Sequence, residues 1–225
     1  MTLVVLAGCG TGQDSRAGAT AEPTGTSGAQ DKPLGEADLE RATIAGTDLA
    51  GYEVRRETAA TFASRKTADP TECAPVMQAV GGSSGFAAIA RTARLVSPKE
   101  SGASAHMTLA SHSPGEARQV IDELRTAAER CETFRDILVR YDYDAVQLRP
   151  DPGYGDESVS IRLTQLVSDG EDDEPVRVPH AVVAVRQGAT VVMFTTLSRP
   201  GGPRGKEPAS VPKAVIEAQL DKLRG

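Results

Sequence analysis

Residues 176–197 read VRVPHAVVAVRQGATVVMFTTL. Two apolar runs, Ala181–Val185 and Val191–Phe194, are separated by Gly188-Ala189, a two-residue loop with glycine first that suits a type II′ hairpin. Both runs are apolar at consecutive positions, so neither strand has a face fit for water. They are expected to be central strands covered on both sides. Upstream, Ser158–Val167 and Ile137–Leu148 read as further strands, and Ser104–His112 alternates, with Ala105, Met107 and Leu109 inward and His106, Thr108 and His112 outward. A strand near Tyr52–Glu57 completes the set.

Helical patterns flank these strands. Ser113-Pro114-Gly115-Glu116 is a capping box with proline at the first helical position. Behind it Ala117, Val120, Ile121, Leu124, Ala128 and Cys131 form one stripe at helical spacing. Asp69-Pro70-Thr71-Glu72 repeats that opening, followed by Cys73, Val76, Met77 and Val80 on one face and Gly81-Gly82 as the stop. An early helix near Glu36–Ile44 and a last one capped by Ser210 and running through Leu223, with Val215, Ile216 and Leu220 toward the sheet, are also expected. The fold class is α+β, a mostly antiparallel sheet with helices packed on it.

The N-terminal residues speak of an address. Leu3–Gly8 is apolar and ends in Leu6-Ala7-Gly8-Cys9, which resembles a bacterial lipobox, in which the cysteine thiol receives a diacylglycerol and the chain is cut before it. Two or three acyl chains at about 0.8 kcal/mol per buried methylene hold a protein stably on a membrane. Residues 1–8 are therefore expected to be the end of a lipoprotein signal segment whose start lies upstream, because a secretory signal needs a charged region and an apolar run of about 7 to 15 residues. The alternative is a buried strand carrying an incidental free thiol. Residues 9–36 are rich in Gly, Thr, Ala, Ser and Pro, a composition unable to bury enough apolar surface to offset ordering, and read as a tether. The folded unit is expected over residues 37–225.

An exported chain changes the meaning of its cysteines. Cys73 and Cys131 each sit on the apolar face of a helix pattern and read as a helix–helix disulfide, the alternative being two buried free thiols. The chain carries 25 Lys and Arg against 31 Asp and Glu, for a formal net charge of −6. That balance argues against nucleic acid as a partner, since replacing phosphate counterions takes clustered cations. No apolar run reaches the roughly 18 residues of a spanning helix. Asn is absent and only six lysines are present, a bias that fits a GC-rich bacterial genome.

Four constellations hold residues capable of chemistry. Gly81-Gly82-Ser83-Ser84-Gly85 matches the nucleophile elbow G-x-S-x-G, but follows a helix pattern rather than a strand, so a helix terminator competes with a serine hydrolase. His106 and His112 share a strand face, yet six residues at about 3.3 Å each place them about 20 Å apart, too far to share an ion; these two and His180 are expected to be exposed, with no metal site. The acidic run Asp169–Glu174 lacks the ligand order of a calcium loop and reads as a solvated hairpin loop. Tyr141, Tyr143 and Tyr154, with Phe134, form a candidate ligand groove, the alternative being rings packed beneath a strand edge and its turn. No catalytic residue and no cofactor are expected.

Taken together, Cys9 and its tether, Asp48-Leu49-Ala50-Gly51-Tyr52, the Cys73 helix, Cys131-Glu132-Thr133-Phe134, Gly155-Asp156-Glu157-Ser158, the Gly188 hairpin and Ala218-Gln219-Leu220-Asp221-Lys222-Leu223 give a chain that resembles actinobacterial lipoproteins. Their domain is similar to the extracellular sensor domain of mycobacterial transmembrane serine/threonine kinases. The resemblance implies a curved sheet with helices packed on it, a cleft for a ligand, and disulfides. Kinase-linked members carry two disulfides, whereas residues 37–225 here have cysteines for one. The function expected is a lipid-anchored, extracytoplasmic ligand-binding or sensor-like module on the outer face of the cell membrane, not an enzyme. Its partners would be membrane lipid through Cys9 and a small-molecule, cell-wall or protein ligand. The alternative is an envelope structural or assembly protein that docks a protein partner.

Overall fold

The computed structural model describes residues 32–57, 67–168, 174–198 and 208–225. The signal-like segment of residues 1–8, Cys9, residues 9–31 of the tether and Asp169–Asp173 of the acidic run lie outside the described residues.

In chain order the elements are α1 (Glu36–Arg41), β1 (Tyr52–Glu57), β2 (Ala68–Asp69), a 3₁₀ turn (Thr71–Cys73), α2 (Ala74–Val80), β3 (Ala90–Pro98), β4 (Ala105–Ser111) and α3 (Pro114–Arg130). Then come β5 (Phe134–Asp136), β6 (Asp142–Arg149), β7 (Glu157–Val167), β8 (Val176–Gln187), β9 (Thr190–Leu197) and α4 (Lys213–Arg224). The nine strands form one antiparallel sheet in the order β1-β3-β4-β9-β8-β7-β6-β5-β2. The apolar hairpin of residues 176–197 supplies the central pair β8 and β9, closed by the pairing of Gln187 with Thr190. Gly188 takes φ 59°, as the first position of a type II′ turn requires.

The sheet has helices on both faces. On one, Val76 and Met77 of α2 and Ala117, Val120, Ile121 and Leu124 of α3 pack with Val159, Ile161 and Leu163 of β7, Val182 and Ala184 of β8, and Val191 and Met193 of β9. On the other, Leu39 and Ile44 at α1 and Val215, Ile216 and Leu220 of α4 pack with Met107 and Leu109 of β4, Val183 and Val185 of β8, and Val192 and Phe194 of β9. Successive side chains of β8 and β9 thus enter opposite cores, which explains why their sequence shows no alternation. The ordered chain reaches back before α1: the Leu34 N–H donates to Ser111 Oγ at 2.8 Å, and its side chain packs on the α1/α4 core.

The Ser113 capping box forms as expected, Ser113 accepting from the Glu116 N–H and the Glu116 side chain accepting from the Ser113 N–H. A disulfide joins Cys73, at the end of the 3₁₀ turn, to Cys131, the residue that terminates α3. The bridge therefore ties two helix boundaries rather than two helix interiors.

Three local expectations change, and one strand appears that the sequence pattern did not announce. The run at Ile137–Leu148 is interrupted, because the Asp136 carboxylate accepts the N–H groups of Leu138 and Val139 and the Arg140 N–H returns to the Asp136 carbonyl. This side-chain turn overrides the β propensity of Ile-Leu-Val. Asp69 does not cap a helix, since it pairs with Arg135 as part of β2; the chain passes through the 3₁₀ turn and Pro75 opens α2. Ser210 lies too early to cap α4, whose N-cap is Pro212. Strand β3 breaks the apolar pattern with Arg94, which is buried because Glu40 pairs with it across the core edge.

Candidate functional site

The side chains singled out in the sequence fall in three places. Phe134 and Tyr143 stack at a ring distance of 4.7 Å, both buried in the core beneath α3. Such a pair contributes about 0.5–1.5 kcal/mol beyond its buried area. Burial pushes the Tyr143 phenol well above its ordinary range, and the Asp136 charge adds to the shift, so the ring stays neutral. Tyr154 packs against the α1/α4 core on the opposite face, while Tyr141 stands 39% exposed at the end of the turn after β5. The structure thus joins two of the four rings and leaves Tyr141 and Tyr154 apart from them.

The histidines divide likewise. His106 is exposed and pairs with Glu57 at 3.0 Å, as its place on β4 predicts. His112 and His180 are buried instead. The segment after α2 folds over the end of β4, bringing the Ala87 carbonyl to 3.2 Å from His112 Nδ1. Burial lowers the His112 pKa below its ordinary value; the Ala87 carbonyl opposes this, nearby Arg91 adds to it and Glu116 opposes it. His180 lies on the α3 side of β8, its Nε2 3.0 Å from Gln165 Oε1 and its ring edge-on to Tyr143.

Ser83 of the G-x-S-x-G match is also buried. Its hydroxyl donates to the Gln78 carbonyl at 3.3 Å, at the capped end of α2, and the crevice beside it holds about 10 Å³, room for about one water.

A larger hollow than the crevice at Ser83 is one that sequence reasoning missed. A pocket of about 320 Å³ opens over β6, β7 and β8 and is closed on one side by Pro208 and Ala209, just before α4. Its position follows from the helix layers. Val159, Ile161 and Leu163 of β7 point toward α3, so Arg162 and Thr164 point to the α4 face, where the α1/α4 core includes no residue of β6 or β7. Arg162 pairs across the strands with Gln147 and Ala181, and Thr164 with Pro179. All of these but Ala181 line the hollow.

A β-bulge shapes its wall. Between Asp144, opposite Thr164, and Gln147, opposite Arg162, β6 spends one residue more than β7. Ala145 there adopts φ 51°, a left-handed conformation that costs a non-glycine residue about 1–2 kcal/mol. The bulge brings both Ala145 and Gln147 to the pocket. The sequence signal that could have revealed the site is Ser160, Arg162 and Thr164 alternating with apolar residues in a strand whose neighbour β8 is apolar over Ala181–Val185.

No protein-family model matches the chain, and no curated protein does. Among solved structures, the fold is similar to the extracellular domain of PknH from Mycobacterium tuberculosis. The likeness has a TM-score of 0.50 at 10% sequence identity and covers 86% of this chain and 98% of that one.

Proposed function

We propose that this chain is an extracytoplasmic, sensor-like binding module, anchored in the membrane through lipid on Cys9, whose ligand seat is the pocket over β6–β8. The observation that carries the reading is that pocket: about 320 Å³, the lower part of the range for small-molecule sites, walled by a strained bulge and holding polar side chains. Three features support it. The fold is similar to that of an extracellular domain; the disulfide is of the kind that persists in oxidising compartments; and Cys9 stands in a lipobox-like context ahead of a tether-like composition. Thermal-shift measurement on the protein against cell-envelope extracts tests the binding. A fraction that raises the melting temperature in the parent and not in an Ala145→Asp variant is expected, and no stabilising fraction across a broad panel would end the reading. Radiolabelled fatty acid should enter the parent and not Cys9→Ser; equal labelling removes the anchor.

A second reading, an envelope assembly protein docking a protein partner, is favoured by one observation. Ile137, Leu138 and Val139 are 52, 56 and 48% exposed in a turn that the Asp136 carboxylate holds in shape. A photoreactive side chain at Val139 should then crosslink a single stoichiometric protein, with loss of the adduct in Ile137→Ser/Leu138→Ser. Absence of any adduct removes this reading.

A further inference from the structure

We propose that the pocket over β6–β8 receives the oxyanion end of a small organic acid, a carboxylate or a phosphate monoester, gripped by the Arg162 guanidinium. This assignment rests on the reading of that pocket as the ligand seat and names the ligand's chemistry.

Arg162 is half-buried, lines the hollow, and makes no hydrogen bond or ion pair within the described residues. Two of the other inward-lying arginines are held by carboxylates. Arg186 is gripped by Asp156 and Glu157 at 2.9 and 2.7 Å, and Arg94 by Glu40. Arg91, half-buried and unpaired too, lines neither hollow described above. A guanidinium withdrawn from bulk water loses hydration that only a planar, bidentate acceptor replaces well. The protein supplies no such acceptor here, because the pocket lining contains no Asp or Glu. The nearest carboxylate in sequence across the bulge, Asp144, is taken by Arg177 at 2.8 Å.

The neighbours suit the same ligand. Gln147, directly opposite Arg162, and Thr164, two residues along β7, offer an amide and a hydroxyl donor on the same face. Pro179, Pro208 and Ala209 supply an apolar wall for the organic body. The chain's net charge of −6 does not forbid an anion, because at physiological salt charges beyond about 8 Å are screened and the local charge is Arg162. Binding is accordingly expected to weaken as salt rises.

The test is amide NMR titration of the full chain with benzoate, phenyl phosphate and the neutral isostere benzamide. Benzoate or phenyl phosphate should move the amides of Gln147, Arg162, Thr164 and Ala209 saturably, and benzamide should not. Arg162→Gln should weaken the anion about tenfold or more, the loss expected for charge-assisted hydrogen bonds, with Arg162→Lys between the two. Benzamide binding as well as benzoate, anion shifts centred elsewhere, no saturable shift, or an Arg162→Gln variant that binds unchanged would each overturn the assignment. If Arg162→Gln fails to fold, Arg162→Lys and the benzoate–benzamide difference in the parent still decide it. An uncharged envelope fraction that stabilises the protein while neither anion binds would end the Arg162 assignment and leave the binding module standing; failure of both classes ends both.

Discussion

Gln219 of α4 and Ile44, 175 positions apart in the chain, are joined by a buried hydrogen bond in which the Ile44 N–H donates to Gln219 Oε1 at 3.0 Å. The other end of the same amide donates to the Ala42 carbonyl at 2.8 Å, and the side chain is wholly buried. One glutamine thus satisfies the two backbone groups left open where α1 ends. Gln219→Leu keeps the volume and removes both partners, so it should cost about 2–4 kcal/mol, given about 1–3 kcal/mol for each buried group left unpaired. Urea denaturation should show a lower midpoint at unchanged slope. A loss under about 0.5 kcal/mol would mean that water replaces the amide.

The Cys73–Cys131 bridge closes a loop with a sequence separation of 58. In the chain-entropy account a loop of that length stabilises the fold by about 4 kcal/mol. Cys73→Ala/Cys131→Ala should therefore lose about that much in equilibrium unfolding, and reductant should destabilise the parent while leaving the double variant unchanged.

Much of this fold was legible because local signals agreed with one another. The Gly188 hairpin, the apolar β8 and β9, the Ser113 box and the stripe of α3 each carry a pattern that one structure alone satisfies. What was illegible depends on partners distant in sequence. Arg94 makes β3 look polar until Glu40, on α1, is placed beside it. Ile137-Leu138-Val139 look like a strand until Asp136 turns back to accept the N–H groups of Leu138 and Val139. His112 and His180 are buried by what folds over them, which no alternation within their own strands records.

The candidate site was hidden for a related reason. The aromatic cluster gave the loudest composition signal, yet Phe134 and Tyr143 are core, as aromatic rings near a strand edge commonly are. The pocket arises where one helix layer stops short of β6 and β7, so it depends on the relative lengths of two layers. Its trace in the sequence is the polar set Ser160, Arg162 and Thr164 alternating with apolar residues of β7.

His112 makes stability depend on pH. Its folded-state pKa lies below the ordinary value of about 6.5, so the unfolded chain binds the proton first. Stability is full above about pH 6.5 and falls as pH drops from there toward the folded-state value. His112→Gln, which cannot titrate, should flatten the decline below about pH 6.5 in urea-denaturation series taken against the parent. An equal slope in both proteins would place the titration elsewhere.

Gly155 is the position where backbone approach is closest. It adopts φ 61°, and a Cβ there would stand well inside 3.0 Å of both the Arg186 carbonyl oxygen and Val185 Cγ1. The approach lets the Asp156 N–H donate to that same carbonyl at 2.9 Å, while the Asp156 carboxylate accepts from the Gly188 N–H at 2.7 Å and pairs with Arg186. The loop before β7 thereby clamps the turn of the central hairpin. Gly155→Ala combines a left-handed backbone, unfavourable by about 1–2 kcal/mol, with a clash against backbone that cannot rotate away, so a loss of about 2–4 kcal/mol is expected. Amide hydrogen exchange separates this from a general weakening. Protection at Gly188 should fall first in Gly155→Ala, ahead of Val192 and Phe194 in the strand interior. A uniform fall across the sheet would mean that the clamp and the hairpin open only with the whole fold.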